Sequence, residues 1–324
     1  MTSSPLLKDL AYYRTGGLYQ KLHRPESVEE LADSMREITA KQAPYFVLGA
    51  GSNSLVMDET WPGHVIVFDR LSRLKLEGNQ IYAEAGVENS ALSQFAFKHG
   101  LGDLSWMNRL PGQLGGTVRM NARCYGGEIS QVVGEVQVVS PDGQVKLYQN
   151  QPEQRHLFRG YKDTIFMENQ EIIVSAKFYL ESGDQQKLKA WMDHCEQDRT
   201  SKGQFTFPSC GCVFKNNYAV GVPSGMLLDR AGVHQLSDMA VEINPMHANF
   251  VFNKQASSRQ ILEMTFAMRE LVYAKFGVWL EYEMEILGQV PQDLLVKLQE
   301  KRPAKFVESA LEELRLEFRG RQST

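Results

Sequence analysis

Near the C-terminal end of the chain an apolar segment, 278–287, carries carboxylates at Glu281, Glu283 and Glu285. On a strand all three project from one face, and acids so placed can move protons. A solvated edge strand explains the same alternation. A second cluster is Pro208-Ser209-Cys210-Gly211-Cys212-Val213-Phe214-Lys215-Asn216-Asn217, where two thiols flank a glycine and a cation and two amides follow. Cys-x-Cys alone makes no zinc site, because zinc takes four ligands and the chain has no second such pair. It suits a small redox pair, or only small residues in a tight turn. His247 could be a ligand, but a lone histidine is more often structural.

Two glycine loops offer different chemistry. Residues 110–128 hold five glycines among small and polar residues. Glycine lets a ligand approach bare backbone, and successive turn N–H groups form nests that bind phosphate-like anions. The second loop is Gly49-Ala50-Gly51-Ser52-Asn53-Ser54. No third glycine opens a helix, so it is not a doubly wound dinucleotide fingerprint. Without Gly-Lys-Ser/Thr it is no P-loop either. Two anion-capable loops among strands fit a pyrophosphate cradle. Two unrelated turns are the plain alternative.

The flanking patterns say what positions these groups. Val28, Leu31, Ala32, Met35 and Ile38 recur at helical spacing, with Ser27 as N-cap and Glu30 completing a capping box. Residues 45–48 read as a buried strand, and 55–57 and 64–68 as further strands, so the first loop lies between strands. Short strands at 65–67, 81–83, 136–139 and 145–147, with a turn at Pro141-Asp142-Gly143, predict an α+β region with a mostly antiparallel sheet. Helices are expected at 89–98, closed by Gly100, at 188–199, and at 224–231, closed by Gly232. A strand is expected at 172–180, and His247 opens a turn leading into another. A long amphipathic helix is expected at 257–276, capped by Gly277. Residues 289–324 read as a charged helical appendix that packs on the body or on a partner.

Whole-chain properties exclude some classes. The chain has 324 residues, 43% hydrophobic and 23% charged, with a formal net charge of -4. Nothing suggests a general nucleic-acid or membrane-surface binder, so an anionic ligand must be held by local donors. No apolar run approaches the ~20 residues of a membrane span. Residues 1–9 lack a leader's basic start and apolar core. The expected compartment is the cytoplasm. Cys124, Cys195, Cys210 and Cys212 are expected as reduced thiols.

Taken in order, several segments resemble the UDP-N-acetylenolpyruvoylglucosamine reductase (UDP-N-acetylmuramate dehydrogenase) family. The carriers are Leu48-Gly49-Ala50-Gly51-Ser52-Asn53, Leu110-Pro111-Gly112-Gln113-Leu114-Gly115-Gly116, Met120-Asn121-Ala122 and Tyr125-Gly126. They continue with Pro208-Ser209, Gly211, Phe214-Lys215-Asn216, Asp229-Arg230-Ala231-Gly232, His247-Ala248-Asn249-Phe250 and residues 280–288. The resemblance implies an α+β FAD-binding module of two subdomains, with a vanillyl-alcohol-oxidase-like flavin fold, and then a C-terminal α+β substrate domain. The boundaries so implied are 1–70 and 71–195 for the two FAD-binding subdomains, 196–288 for the substrate domain and 289–324 for the appendix. The family reduces an enolpyruvyl ether to a lactyl ether on a UDP-sugar, a step of peptidoglycan synthesis. FAD is the cofactor and NADPH the reductant; protein partners are not indicated.

Residue by residue, the resemblance assigns FAD contacts to Gly49, Ala50, Gly51, Ser52, Asn53, Pro111, Gly112, Gly115, Gly116, Asn121, Gly126, Glu128 and Ile129. It assigns substrate contacts to Ser209, Lys215, Asn216 and Asn249. The catalytic positions are Tyr161, Lys162, Cys212 and Glu283, with no metal. Two of these depart from the family. Lys162 stands where the family has arginine, giving a point charge in place of a planar fork. Arg159 is two residues upstream of Tyr161 and a poorer match. Cys212 replaces a serine, and a thiol, with a reference pKa near ~8.5, is a far stronger acid than a hydroxyl. Ala50 and Arg123-Cys124 are further departures, and Arg123 could equally pair with a flavin phosphate or face solvent. The alternatives are another flavoenzyme on this scaffold, a FAD-binding paralogue without turnover, and a thiol-redox protein using Cys210 and Cys212.

Overall fold

The structure is a computed structural model that describes residues 6–151 and 157–322. Part of the segment on which the absence of a leader was argued, residues 1–5, falls outside them. The chain divides into two compact units. One comprises Tyr19–Ala50 and Pro62–Thr200, the other Met1–Leu18, Gly51–Trp61 and Ser201–Thr324.

The 19–50 and 62–200 unit is built on a five-stranded sheet in the order Val145–Gln149, Val133–Val139, Ile172–Tyr179, Gln80–Glu84, Leu74–Glu77. Every pairing in it is antiparallel, matching the expected sheet. A second sheet pairs Tyr45–Leu48 in parallel with 64–67. The helix Val28–Ala40 covers it, burying Leu31, Ala32, Met35 and Ile38 against Ile66, Phe68 and Val174. Ser27 Oγ accepts the Glu30 N–H as expected, but the Glu30 carboxylate accepts from Glu26 N–H at 2.9 Å. The reciprocal half of the capping box is displaced by one residue.

In this unit His23 Nε2 and His64 Nδ1 are 2.9 Å apart and buried. Burial, then Lys21 and His64, lower His23 from the usual 6.5 to about 4; burial lowers His64 as well. The unfolded chain takes up protons below pH 6.5 that folded His23 refuses until about pH 4. Stability is therefore fully present above 6.5 and falls as the pH drops through that window. The melting temperature is expected to fall between pH 7 and pH 5, and His23→Gln to flatten the slope. An unchanged slope in the variant would exclude the pair as its source.

The other unit is centred on the helix Ser258–Phe276. Ser257 and Gln260 form a reciprocal capping box, and Gly277 closes the helix in the left-handed region at φ 68°. Ser224–Ala231 is closed the same way by Gly232. A hairpin of Val241–Ile243 and Val251–Asn253 and a parallel pair of Ser54–Val56 with Glu285–Leu287 complete the core. The C-terminal appendix packs on its own unit. Its helices Gln292–Gln299 and Glu308–Gln322 bury Leu294, Leu311 and Leu314 in this core. Lys305 N–H donates to Gly277 O at 2.9 Å and Val307 N–H to Phe276 O at 3.0 Å, fastening the connection to the helix end. Among the described residues no helix is long and apolar enough to cross a membrane.

Candidate active site

Cys212 and Glu283 lie on neighbouring backbone segments of one unit. Cys212 bridges Phe250, and the Val213 carbonyl accepts from both Glu283 N–H (2.8 Å) and Met284 N–H (3.2 Å). Lys215 N–H donates to Glu281 O at 2.9 Å. Two donors on one carbonyl insert an extra residue, a bulge-like irregularity. Regular strand structure therefore covers only Glu285–Leu287. The expected face shared by Glu281, Glu283 and Glu285 is corrected accordingly: the period of two breaks at Glu283–Met284. Gly211, at φ 74°, provides the turn that separates the two cysteines.

Buried side chains hold this framework. Asn249 Oδ1 accepts from Phe214 N–H at 3.0 Å and its Nδ2 donates to Phe214 O at 2.8 Å. Asn216 Oδ1 accepts the Ser224 N–H at 2.9 Å and so caps the helix Ser224–Ala231. Ser209 is buried, and its hydroxyl accepts from Gly211 N–H at 3.5 Å. The structure thus gives Asn249, Asn216 and Ser209 internal partners around Cys212 and Lys215. His247 packs on Phe250, ring centroids 4.7 Å apart. The four cysteines form no disulfide. Cys210 and Cys212 differ sharply. Cys210 is fully buried beside Tyr13, and burial, with Cys212 and Glu283 nearby, pushes its thiol well up.

Tyr161 and Lys162 belong to the other unit. They form the turn between Phe158–Gly160 and Asp163–Thr164. Asn121, wholly buried at φ 44°, donates to Gly160 O at 2.9 Å and to Glu128 Oε1 at 2.8 Å. Thr164 Oγ1 donates to Arg119 O at 2.5 Å. The hairpin is therefore pinned on both sides to the glycine-rich segment. Lys162 is buried and adopts φ 54°, an uncommon conformation for a side-chain-bearing residue. Its Nζ lies 6.0 Å from the Tyr161 ring centroid and the Arg123 guanidinium 4.7 Å from it. Arg159 pairs with Asp163 and Glu168, so its charge is committed within the hairpin.

The glycine-rich segment divides into positions that pack and positions that face open space. Its short helix Leu114–Arg119 has its first two amides taken: Leu114 N–H donates to Val87 O and Gly115 N–H to Ala85 O, both at 2.9 Å. A Cβ at Gly115 would stand 3.0 Å from Ala85 Cβ, and one at Gly127 would enter the Trp106 ring. These glycines serve packing. At Gly116, Gly126 and Gly160 a Cβ would meet nothing within 4 Å, so bare backbone faces open space. Gln113 Oε1 is buried without a hydrogen-bond partner, and a Cβ at Gly49 would stand 3.4 Å from it. The two glycine segments thus meet at an acceptor that a ligand hydroxyl or N–H would satisfy. A flavin dinucleotide carries ribityl hydroxyls, whose O–H groups suit this acceptor. Residues 51–53 belong to the other unit, where Gly51 packs against Ala11 and Tyr12 and a Cβ would stand 2.9 Å from Ala11 Cα.

Sequence reading missed one half-buried cluster around the buried Arg199. Arg199 Nη2 donates to Cys124 Sγ at 3.2 Å, its guanidinium lies 5.0 Å from the Tyr125 ring centroid, and Tyr125 OH donates to Asp198 at 2.7 Å. Burial raises the Cys124 thiol against the opposing pull of Arg199 and Lys162. The only hint in the sequence was the Arg123-Cys124 departure inside the glycine segment.

Residues 20–147 match the model of the FAD binding domain family, and residues 203–287 match that of the UDP-N-acetylenolpyruvoylglucosamine reductase C-terminal domain. The fold and these matches define an FAD-dependent oxidoreductase with a separate C-terminal domain. Over 87% of this chain and 91% of the relative, the sequence is 33% identical to the UDP-N-acetylenolpyruvoylglucosamine reductase of Geobacillus thermodenitrificans. The Carboxydothermus hydrogenoformans reductase is 33% identical over 89% of this chain and 95% of its own. The crystal structure of UDP-N-acetylenolpyruvylglucosamine reductase from Thermus caldophilus aligns with a TM-score of 0.72 at 31% identity, covering 87% of this chain and 97% of that one. The chain belongs to the UDP-N-acetylenolpyruvoylglucosamine reductase family.

Proposed function

We propose that this protein reduces UDP-N-acetylglucosamine enolpyruvate to UDP-N-acetylmuramate for peptidoglycan synthesis, with FAD as cofactor and NADPH as reductant. The reading is carried by similarity to reductases of that name along nearly their whole length. Both nucleotide reactants suit the cytoplasm. FAD, when bound, supplies the hydride equivalent drawn from NADPH.

The chain's own residues do the rest. Gly49, Ala50, Gly51, Ser52 and Asn53 with Pro111, Gly112, Gly115, Gly116, Asn121, Gly126, Glu128 and Ile129 form the cofactor-binding set, in which Gly115 and Asn121 hold the backbone that the others present. Ser209, Lys215, Asn216 and Asn249 form the substrate side: Lys215 as the cation for a phosphate, the other three as its supports. The enol double bond is conjugated to a carboxylate, so reduction at its terminal carbon drives negative charge onto that group. The ammonium of Lys162 and the hydroxyl of Tyr161 oppose this charge. Cys212 gives its proton to the remaining carbon and recovers one from water. Glu283, on the backbone segment bonded to Val213, is the acidic group of the set.

The test is an anaerobic titration of the purified protein. A yellow enzyme bleached by NADPH and restored by the enolpyruvyl UDP-sugar is the expected result. Bound flavin that the sugar does not reoxidise would instead mark a paralogue without this turnover, a reading the Lys162 and Cys212 departures suit. Absence of flavin binding would overturn both.

A further inference from the structure

We infer that Asn53 is a positioning residue for Glu283, through a hydrogen bond from its side-chain amide to the Glu283 main chain. Asn53 Nδ2 donates to Glu283 O at 3.0 Å, while Asn53 O accepts the Glu285 N–H at 2.9 Å. One residue thus grips the acidic segment on both sides of Met284. The need for this grip follows from the irregularity at Val213. The Val213 N–H, which a regular ladder would turn toward Glu283 O, is given to Asn249 O at 2.9 Å, while the Val213 carbonyl takes the N–H groups of both Glu283 and Met284. Asn53 supplies the donor the ladder does not. Beyond it, Ser54–Val56 continues as a parallel partner of Glu285–Leu287, so Asn53 occupies the last position before regular pairing begins.

The consequence concerns the glycine loop. Asn53 belongs to the loop the family resemblance assigns to FAD, yet its amide group faces the main chain of the acid. Asn53 therefore carries a duty beside the one the resemblance assigns: it sets the backbone from which the Glu283 carboxyl extends. An aspartate would keep the length but lose the N–H and set a carboxylate against a carbonyl. Alanine would remove both donor and reach.

This inference rests on the proposed reaction only for its kinetic consequence, so the test has two arms. In the first, hydrogen exchange is followed by mass spectrometry in wild type, Asn53→Asp and Asn53→Ala. Amides 281–286 are expected to exchange faster in both variants while the helix Ser258–Phe276 keeps its protection; unchanged exchange at 281–286 would overturn the inference. In the second arm, the anaerobic half-reactions are measured on FAD-loaded enzyme. Reoxidation by the enolpyruvyl UDP-sugar is expected to slow about tenfold to a hundredfold more than reduction by NADPH, the scale of a sub-ångström to one-ångström misplacement of a reacting group. Equal losses in the two half-reactions that track loss of FAD would make Asn53 a cofactor contact alone. A wild-type enzyme that the sugar does not reoxidise would refute the proposed reaction and leave the exchange arm to decide.

Discussion

Cys212→Ala is expected to lower reoxidation of the reduced enzyme by the enolpyruvyl UDP-sugar about a thousandfold, within the usual range for loss of a general acid. Bleaching by NADPH should persist, because that step needs no proton from the thiol. Cys210 cannot substitute. It is sealed in the core beside Tyr13, and burial pushes its thiol well above the ordinary range, opposing formation of the thiolate. Cys212, by contrast, is only half-buried and follows the left-handed turn at Gly211. Its backbone is fixed through Phe250 on one side and, one residue on, through Asn249 and Glu283. Cys212→Ser should restore part of the rate, since the family resemblance implies a hydroxyl at this position. Stopped-flow absorbance of each half-reaction reads both outcomes. Reoxidation of Cys212→Ala at a rate within a few-fold of wild type would remove the thiol from the mechanism.

What the sequence made legible was local. Helix ends written in short-range chemistry came out where expected: the Ser27 N-cap, Gly277 and Gly232 each act within one turn. The strand at 45–48 and the antiparallel sheet followed from apolar runs. The acidic alternation at 281–285 misled because its period is interrupted by a carbonyl about seventy residues upstream, at Val213. No pattern inside a strand reports such a partner. The appendix was legible as helical, but whether Leu311 and Leu314 faced their own unit or a partner depended on packing that periodicity does not reveal.

The site was legible in the same uneven way. The two glycine segments announced a ligand, and Gln113 and Gly49 do meet at an unsatisfied acceptor. Composition could not tell which glycines face a ligand and which face the core. Gly127 is excluded from side-chain substitution by Trp106, and the amides of Leu114 and Gly115 are committed to a neighbouring strand end. The asparagines are the sharper lesson. Asn121, Asn216 and Asn249 read as ligand contacts, yet each has hydrogen bonds to backbone of its own unit. A polar side chain buried near a site must first satisfy its own hydrogen bonds. Much of what a motif preserves is therefore the scaffold of the chemistry.

Lys162→Met is expected to reduce kcat about a hundredfold to a thousandfold, the range for removing one preplaced stabiliser of developing negative charge, with a smaller change in KM. Methionine keeps the unbranched stem, so packing at this buried turn is preserved and the charge alone is removed. The turn itself is over-determined. Asn121 holds Gly160, Thr164 holds Arg119 O, and the lysine backbone is kept at φ 54° between them. Such a conformation costs on the order of 1–3 kcal/mol and persists because its surroundings enforce it. The direction in which the side chain leaves the backbone is thereby set before substrate arrives, which favours electrostatic stabilisation. Arg159 cannot take over, since it is paired with Asp163 and Glu168. Lys162→Arg should keep a substantial part of the rate, because the charge survives although the fork differs in shape. Steady-state kcat and KM, with flavin content measured on the same preparations, check the result. If Lys162→Met turned over within a few-fold of wild type with full flavin, the cation would have to come from elsewhere. Arg199, whose guanidinium meets Cys124 in the same unit, would be the residue to replace next.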